Sequence, residues 1–478
     1  MEKFETVIGL EVHLQLKTAT KIFCSCTNHF GAKPNSNTCP VCLGLPGSLP
    51  VFNEQALEYA IRVGLALNCT INPFIKFDRK NYFYPDLPKG YQISQFDKPI
   101  CSHGHLLVHT SGKEKRIGIT RAHLEEDAGK LIHDQSVNAS LVDYNRTGTP
   151  LIEIVSEPDM RSAQEAYDYL SKLKLTLQYL NVSDCDMEKG SLRCDANVSI
   201  RPVGYEKFGT KTELKNMNSF KAVKSAIEYE VNRHTQIILS GGKITQETLL
   251  WNEEKAITVA MRGKEQAHDY RYFPDPDLVS FTVEEQLIAQ VRSQMPELPA
   301  QKAQRFVHDY KLSEYDASVL IQDKKTADFF ESCVAAKADP KKASNWITSV
   351  LAKELTDRKI EIDEMKMNAA SLVELIKNVE EGVISNLAGK DVLKVMMDSG
   401  KGEAQIIAEQ GLAQVSDDGA LEKMLDEIFV SHADVVQQVK QGKQSAVGFL
   451  VGQAMKKSQG KANPKKLGEM ITRRITNV

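Results

Sequence analysis

Between Met187 and Phe220 the chain gathers acids, amides and cations at strand spacing. Arg193, Asp195, Asn197, Ser199 and Arg201 alternate with Leu192, Cys194, Ala196, Val198 and Ile200, the period of a half-buried strand. Pro202 to Gly209 lets the chain double back as a hairpin. Lys211, Glu213 and Lys215 then share one face of the returning strand. Such a face suits a divalent cation and a polyphosphate, because hard oxygens hold the ion and cationic donors neutralise phosphate charge. The alternative is a solvated outer face of a sheet, where mixed charges need only water.

Other segments carry groups of the same kind. From Thr6 to Lys17, Glu11, His13 and Gln15 alternate with Ile8, Leu10, Val12, Leu14 and Leu16. Glu and His two apart on a strand can ligate one cation together, or stand as an ordinary surface pair. In Arg116–Ile132, His123 is followed by Glu125, Glu126 and Asp127. Three adjacent acids repel one another unless a cation neutralises them or water solvates them as a turn. Glu153 interrupts an apolar run, Leu-Ile-Glu-Ile-Val. A carboxylate there is buried or at a sheet edge and needs a metal or an Arg as partner. Neither the His-Glu-x-x-His helix motif nor a Gly-x4-Gly-Lys-Ser/Thr loop occurs, so any nucleotide chemistry does without a P-loop.

Cys24-Ser-Cys26 and Cys39-Pro-Val-Cys42-Leu-Gly place four thiols close together, the donor set of a tetrahedral structural Zn²⁺. With every position filled by sulfur, such a site braces the fold and performs no catalysis. Cys69, Cys101, Cys185, Cys194 and Cys333 are scattered and read as core residues. Phe77–Asp86 and Asp269–Asp277 each pack aromatic, cationic and acidic residues into a short stretch. The first could stack a base and pair with its phosphates, or seal a core edge.

The elements that must position these groups divide the chain. At 478 residues, 42% hydrophobic and 26% charged, it is an ordinary globular protein of several domains, with no apolar run of membrane-spanning length. The N-terminus enters a strand pattern at once, leaving no room for a signal peptide. An odd count of nine cysteines argues for a reducing compartment, hence the cytoplasm. Helical patterns cover Asn53–Leu67, Ala163–Leu180 and Ser219–Ser240, and nearly everything after Val283. The expected fold is α+β: a body over 1–294, a helical domain over 295–402 and a helical tail over 403–478. The net charge of −3 makes no case for nucleic acid over the whole chain. The stretch from Gln441 onward does, with eight Lys or Arg (among them Lys461 and Arg473) against Glu469 alone.

Six stretches together closely resemble one family: Gly-Leu-Glu-Val-His, Arg-Lys-Asn-Tyr-Phe-Tyr-Pro-Asp, His-Leu-Glu-Glu-Asp-Ala-Gly-Lys, Gly-Thr-Pro-Leu-Ile-Glu-Ile-Val-Ser-Glu-Pro-Asp, Gly-Ser-Leu-Arg-Cys-Asp-Ala-Asn-Val-Ser and Asp-Tyr-Arg-Tyr-Phe-Pro. That family is the B subunit of the tRNA-dependent Asp/Glu amidotransferase, GatB. The resemblance runs from Glu5 to the C-terminus, and Val447–Lys456 with Ala462–Lys465 is similar to its tRNA-binding tail.

It implies a mixed-sheet cradle followed by helical domains, and a two-step transamidation. ATP phosphorylates the side-chain carboxylate of mischarged Glu-tRNA(Gln) or Asp-tRNA(Asn), and ammonia then displaces phosphate. Ammonia comes from an amidase partner, the A subunit, and a small C subunit wraps the pair. Since making an acyl phosphate needs Mg²⁺ at the triphosphate, the resemblance assigns Glu11, His13, Glu126, Glu153, Asp195 and Glu213 to the metal and acid constellation. Glu11, His13, Glu126 and Asp195 are its expected ligands, with Glu125 the alternate for Glu126. Lys80, Arg193 and Lys215 are assigned to phosphate. Family members exist without the four cysteines, so zinc is structural and optional to the chemistry. A non-catalytic tRNA-binding scaffold and a free-standing carboxylate-amine ligase are the alternatives; neither accounts for both Glu153 and the lack of a glutaminase set.

Overall fold

The computed structural model describes residues 4–476 except 111, 135–138, 262–266, 414–417, 442 and 459–461. Lys461 of the basic tail lies outside the described residues. The chain forms two compact units, Met1–Pro299 and Ala300–Val478. Among the described residues, no helix is long and apolar enough to cross a membrane.

The first unit is built on a twelve-stranded mixed sheet. Its strands include β1 (Phe4–Gln15), β2 (Asp78–Asn81), β3 (Tyr91–Ser94), β4 (Cys101–Thr110), β5 (Lys113–Glu126), β6 (Pro150–Ser156), β7 (Leu192–Pro202), β8 (Thr212–Lys215), β9 (Thr248–Asn252) and β10 (Ile257–Ala260). The spatial order is β10-β9-β8-β7-β1-β6-β5-β3-β2, closed by Phe273–Pro274 beside β2. β4 pairs with the other length of β5. All these pairings are antiparallel except β8 with β9. The strictly alternating strands occupy the centre. Ile8, Leu10, Val12 and Leu14 of β1 and Leu192, Cys194, Ala196, Val198 and Ile200 of β7 are buried on one face. The expected hairpin from β7 into β8 forms across Ala196–Leu214 and Asn197–Glu213. Its return is shaped by Gly209: a Cβ there would sit 2.1 Å from the Ile200 carbonyl oxygen, so only glycine lies this close against β7.

Helices cover the apolar face, as α+β architecture requires. Helix α1 (Pro40–Leu43) is a single turn; α2 (Glu54–Ala66), α3 (Ala163–Leu180) and α4 (Phe220–Leu239) are the long ones. Asn53, Ser162 and Ser219 cap the three long helices by accepting backbone N–H bonds, each cap worth about 1 kcal/mol. Helix α3 packs on β4 and α4 on β7. Helix α4 is also tied to β8 by its buried Glu230, which accepts from Thr212 Oγ1 at 2.9 Å. The apolar face is thus consumed, and the opposite face of the sheet is left to polar side chains.

The second unit is helical. The pattern over Lys342–Leu355 becomes Pro340–Asn345, a π-helical stretch Trp346–Leu351 and Ala352–Arg358. Two hydrophobic cores form: Phe306, Phe330, Leu351, Leu372, Met396 and Ile406 lie in one, and Leu421, Leu425, Leu450, Leu467 and Ile471 in the other. Ile406 and Ile407 therefore pack with the helices before them, and the last core starts at Leu421. Around that last core Lys456 and Arg473 are exposed, while Arg474 pairs with Asp426 at 2.7 Å.

Candidate active site

The odd-numbered residues of β1 face away from the core, and antiparallel register sets their neighbours. His13 stands opposite Glu153 of β6, which stands opposite His123 of β5; on the other side His13 faces Arg193 of β7. One row therefore reads His123–Glu153–His13–Arg193 across four strands. In the row beside it Glu11 faces Asp195, and in the next Asn197 faces Glu213. Directly opposed side chains lie within reach of one another, so four distant segments meet.

Their contacts form one charged cluster. His13 Nε2 lies 3.6 Å from Glu153 and 3.9 Å from Glu125. His123 Nε2 lies 3.4 Å from Glu153 and 3.7 Å from Glu125. Donor atoms of His13, Glu125 and Glu153 all fall within 4.8 Å of one another. Burial pulls the His13 imidazole down, but the hydrogen bond and charge of Glu153, then Glu125 and Asp195, outweigh it and raise it to about 9. Burial pushes Glu153 up, yet His123, His13 and Lys80 hold it well below the usual carboxylate range. A concentration of negative charge drawing a proton onto His13 is what a divalent cation would replace. Two carboxylates and an imidazole also suit such an ion, water completing its shell.

Cations ring the cluster. Lys215 pairs with Asp195 and lies 3.4 Å from Glu213, and Glu213 also accepts from Thr248 Oγ1 at 2.9 Å. Arg193 donates to Asp127 at 2.6 Å, and Gln15 to the same carboxylate at 2.7 Å. Asn197 donates to Glu11 at 2.9 Å. Lys80 reaches in from β2, its ammonium 4.7 Å from the Tyr270 ring centroid. Burial lowers the Lys80 ammonium, but Tyr272, Glu125, Tyr270 and Glu153 give a net rise. The two aromatic-cationic stretches face each other here: Arg79 is held by Asp275 and Asp277, each at 2.8 Å, and Tyr272 stacks on Phe96 at 4.1 Å. Arg79 is thereby spent on structure, and Lys80 is the cation turned to the site.

Glu126 is a correction. The resemblance puts it in the metal set with Glu125 as alternate, but adjacent strand residues point to opposite faces. Glu125 lies with His123 in the cluster, while Glu126 is buried on the other side, paired with Lys89 and accepting from Ile93 N at 2.9 Å. In Glu125→Gln, Mn²⁺ affinity of the purified protein should fall at least about 10-fold, whereas Glu126→Gln should leave it within about twofold. Glu126→Gln should instead lower the melting temperature, because Lys89 stays buried without its counter-ion. Equal loss of Mn²⁺ in both would return Glu126 to the site. His123, Asp127, Gln15 and Asn197 join the site as well: the alternating strands and the acid run carry them, but none is among the residues assigned a role. The alternation that separates Glu125 from Glu126 is the signal for His123; Asp127 follows the strand, and its signal is the acid run alone.

The four knuckle thiols also come together, all sulfurs within 4.8 Å of one another. Tetrahedral Zn²⁺ with bonds of about 2.3 Å sets sulfurs about 3.8 Å apart, so Cys24, Cys26, Cys39 and Cys42 fit it. Gly44, with φ of +68°, turns the chain after α1. The buried Lys21 ammonium lies 3.6 Å from Cys42 Sγ and donates to Asn37 O at 2.7 Å, offsetting thiolate charge. The knuckle is laced to the turn Tyr144–Arg146: Asn37 N donates to Asn145 Oδ1 at 2.8 Å, and Tyr144 N to Asn35 Oδ1 at 2.8 Å. Ile22 N bonds Gly148 O at 2.9 Å, and Gly148 N bonds Asp127 O at 2.9 Å.

Comparison with known proteins defines the class first. Residues 6–289 match the GatB/GatE catalytic domain family, and residues 328–475 match the GatB domain family. Named relatives then narrow it. The B subunit of the aspartyl/glutamyl-tRNA(Asn/Gln) amidotransferase of Caldanaerobacter subterraneus subsp. tengcongensis is 53% identical over 474 residues, 99% of this chain and 100% of that protein. Its namesake in Carboxydothermus hydrogenoformans is 49% identical over 481 residues, 100% of both. The chain belongs to the GatB family of amidotransferase B subunits.

Proposed function

We propose that this chain is the kinase and transamidase component of a tRNA-dependent amidotransferase acting on Glu-tRNA(Gln), Asp-tRNA(Asn) or both. The observation that carries this reading is the His13–Glu125–Glu153 cluster ringed by Lys80, Arg193 and Lys215. When bound there, Mg²⁺ supplies neutralisation of triphosphate charge. Lys80, Arg193 and Lys215 hold phosphate oxygens, exchanging their present carboxylate or aromatic partners for them. A side-chain carboxylate oxygen of the esterified Glu or Asp attacks the γ-phosphorus, and the bond to ADP breaks. Ammonia then forms the C–N bond at the acyl carbon, phosphate leaves with the C–O electrons, and a proton passes to a carboxylate of the Glu11–Asp195 row.

Ammonia is furnished by an amidase A subunit, since this chain lacks a glutaminase set, and a small C subunit completes the complex. The basic surface of the last helical core supports tRNA binding through phosphate. Zn²⁺ on the four cysteines is structural. A cytoplasmic location fits nine unpaired thiols.

The test is amide formation by the chain reconstituted with amidase and small subunits on mischarged tRNA, with Mg²⁺, ATP and either glutamine or ammonium. Asp195→Asn, which removes the nearer of the two carboxylates beside Lys215, should lower the rate about 100-fold while tRNA still binds. Binding of tRNA with no use of ATP in any combination would leave the scaffold reading.

A further inference from the structure

The row beside the His13 cluster runs Arg121–Val155–Glu11–Asp195 across β5, β6, β1 and β7, and Lys215 closes it, paired with Asp195. A cation thus stands at each end. Lys215 has two carboxylates beside it; among the described residues Arg121 has none. Its cross-strand neighbour on one side is the apolar Val155, and on the other Ser102, whose hydroxyl donates to Asn72 Oδ1 at 3.1 Å. Arg121 is half-buried, and its covered Nε–H finds no acceptor among the described residues. We propose that the Arg121 guanidinium takes the side-chain carboxylate of the amino acid esterified to the mischarged tRNA and holds it beside the His13 cluster; this rests on the transamidase reading above.

Position, availability and shape all favour a carboxylate. Alternation along β5 puts Arg121 on the face of His123 and Glu125. Residues two apart on a strand are about 7 Å apart, so an arginine side chain spans the distance to the cluster where the phosphoryl group is transferred. To hold phosphate, Lys80, Arg193 and Lys215 must each give up a ring or a carboxylate. Arg121 gives up nothing, as suits a group whose anion arrives only with the tRNA. A buried donor left unmet costs stability, and a ligand that satisfies it accounts for its presence beside reactive groups. The guanidinium is also a planar fork, which grips a carboxylate through two parallel N–H···O bonds. Each carboxylate oxygen has two lone pairs, so an oxygen held by the fork keeps one with which to attack the γ-phosphorus. Once the amide has formed, the same fork faces an –NH₂ group that can only donate. Donor then meets donor, and the site prefers the charged substrate to its product.

The experiment uses the reconstituted complex and compares Glu-tRNA(Gln) with Gln-tRNA(Gln), or the Asp and Asn pair, whichever the complex converts. The two members of a pair differ only by a carboxylate against an amide. Their dissociation constants are measured without ATP or an ammonia source, beside ATP affinity, Mn²⁺ affinity, melting temperature and, in separate runs, the rate of amide formation. The wild type is expected to hold the carboxylate form about 10-fold tighter. Arg121→Ala is expected to erase that preference by weakening the carboxylate form alone, and to lower the rate about 100-fold. Arg121→Lys, which keeps the charge but loses the fork, falls between the two. ATP affinity, Mn²⁺ affinity and melting temperature stay at wild-type values, because Arg121→Ala leaves no partner stranded. An unchanged preference in Arg121→Ala, or none in the wild type, overturns the proposal alone. So does an equal loss of both tRNAs, which would give Arg121 to the tRNA backbone, or a loss of ATP affinity, which would give it to the triphosphate. A lower melting temperature with the preference intact makes Arg121 a structural residue. No amide formation by the wild type in any combination overturns the transamidase reading, and the carboxylate clamp with it.

Discussion

Glu153→Gln is expected to abolish amide formation, lowering the rate about 1,000-fold or more, with mischarged tRNA still bound at wild-type affinity. The substitution keeps the shape of the side chain and removes its charge. Glu153 lies 3.6 Å from His13 and 3.4 Å from His123 and also stabilises the Lys80 charge. Without it the metal set loses one of its two carboxylates, and Mn²⁺ affinity should fall at least about 100-fold, because even outer partners of a metal site are worth 10- to 100-fold. Mn²⁺ titration, tRNA binding and product formation on the same preparation check this. Loss of tRNA binding in parallel with activity would make Glu153 a structural residue.

Cys42→Ser is expected to empty the knuckle of zinc and to destabilise the first unit by on the order of 4 kcal/mol. The segment has little apolar burial of its own: Phe30, Leu45, Leu49 and Val51 are exposed. Its order comes from the thiol cluster, from Lys21 and from the backbone bonds to Tyr144–Gly148. Metal analysis, thermal unfolding and limited proteolysis between residues 24 and 48 measure the effect. The loss of activity should be smaller than for Glu153→Gln, since the knuckle reaches the site indirectly, through Gly148 to Asp127 and from there to Arg193. Full zinc content in the variant would mean that the cysteines are not the ligands.

Strict alternation makes β1 and β7 legible in the sequence, and with them the face that carries Glu11, His13, Arg193 and Asp195. Buried apolar residues fix which side is which, and no tertiary knowledge is needed. Glu153 is legible for another reason: a carboxylate inside an apolar run must find partners. The preference for Glu126 over Glu125 fails because a run of three acids reads equally as a turn or as the end of a strand. Only the pairing of β5 with β6 settles which acid faces inward. Arg79 and Lys80 look equivalent in sequence, and the difference between them is made by Asp275 and Asp277, nearly two hundred residues away. The π-helical stretch at Trp346–Leu351 leaves no mark in hydrophobic periodicity.

The place of β1 in the sheet bears on how the protein is made. It is translated before both of its neighbours in the sheet, β6 and β7, whose residues end at Pro202. At about 5–20 residues per second, its apolar face waits roughly 10 to 40 s for both flanking strands to leave the ribosome. During that interval Ile8, Leu10, Val12 and Leu14 are an unpaired hydrophobic edge, the kind of surface that chaperones shield and that aggregates when unshielded. The row His123–Glu153–His13–Arg193 cannot exist before that wait ends, so a product stalled short of β7 cannot assemble it.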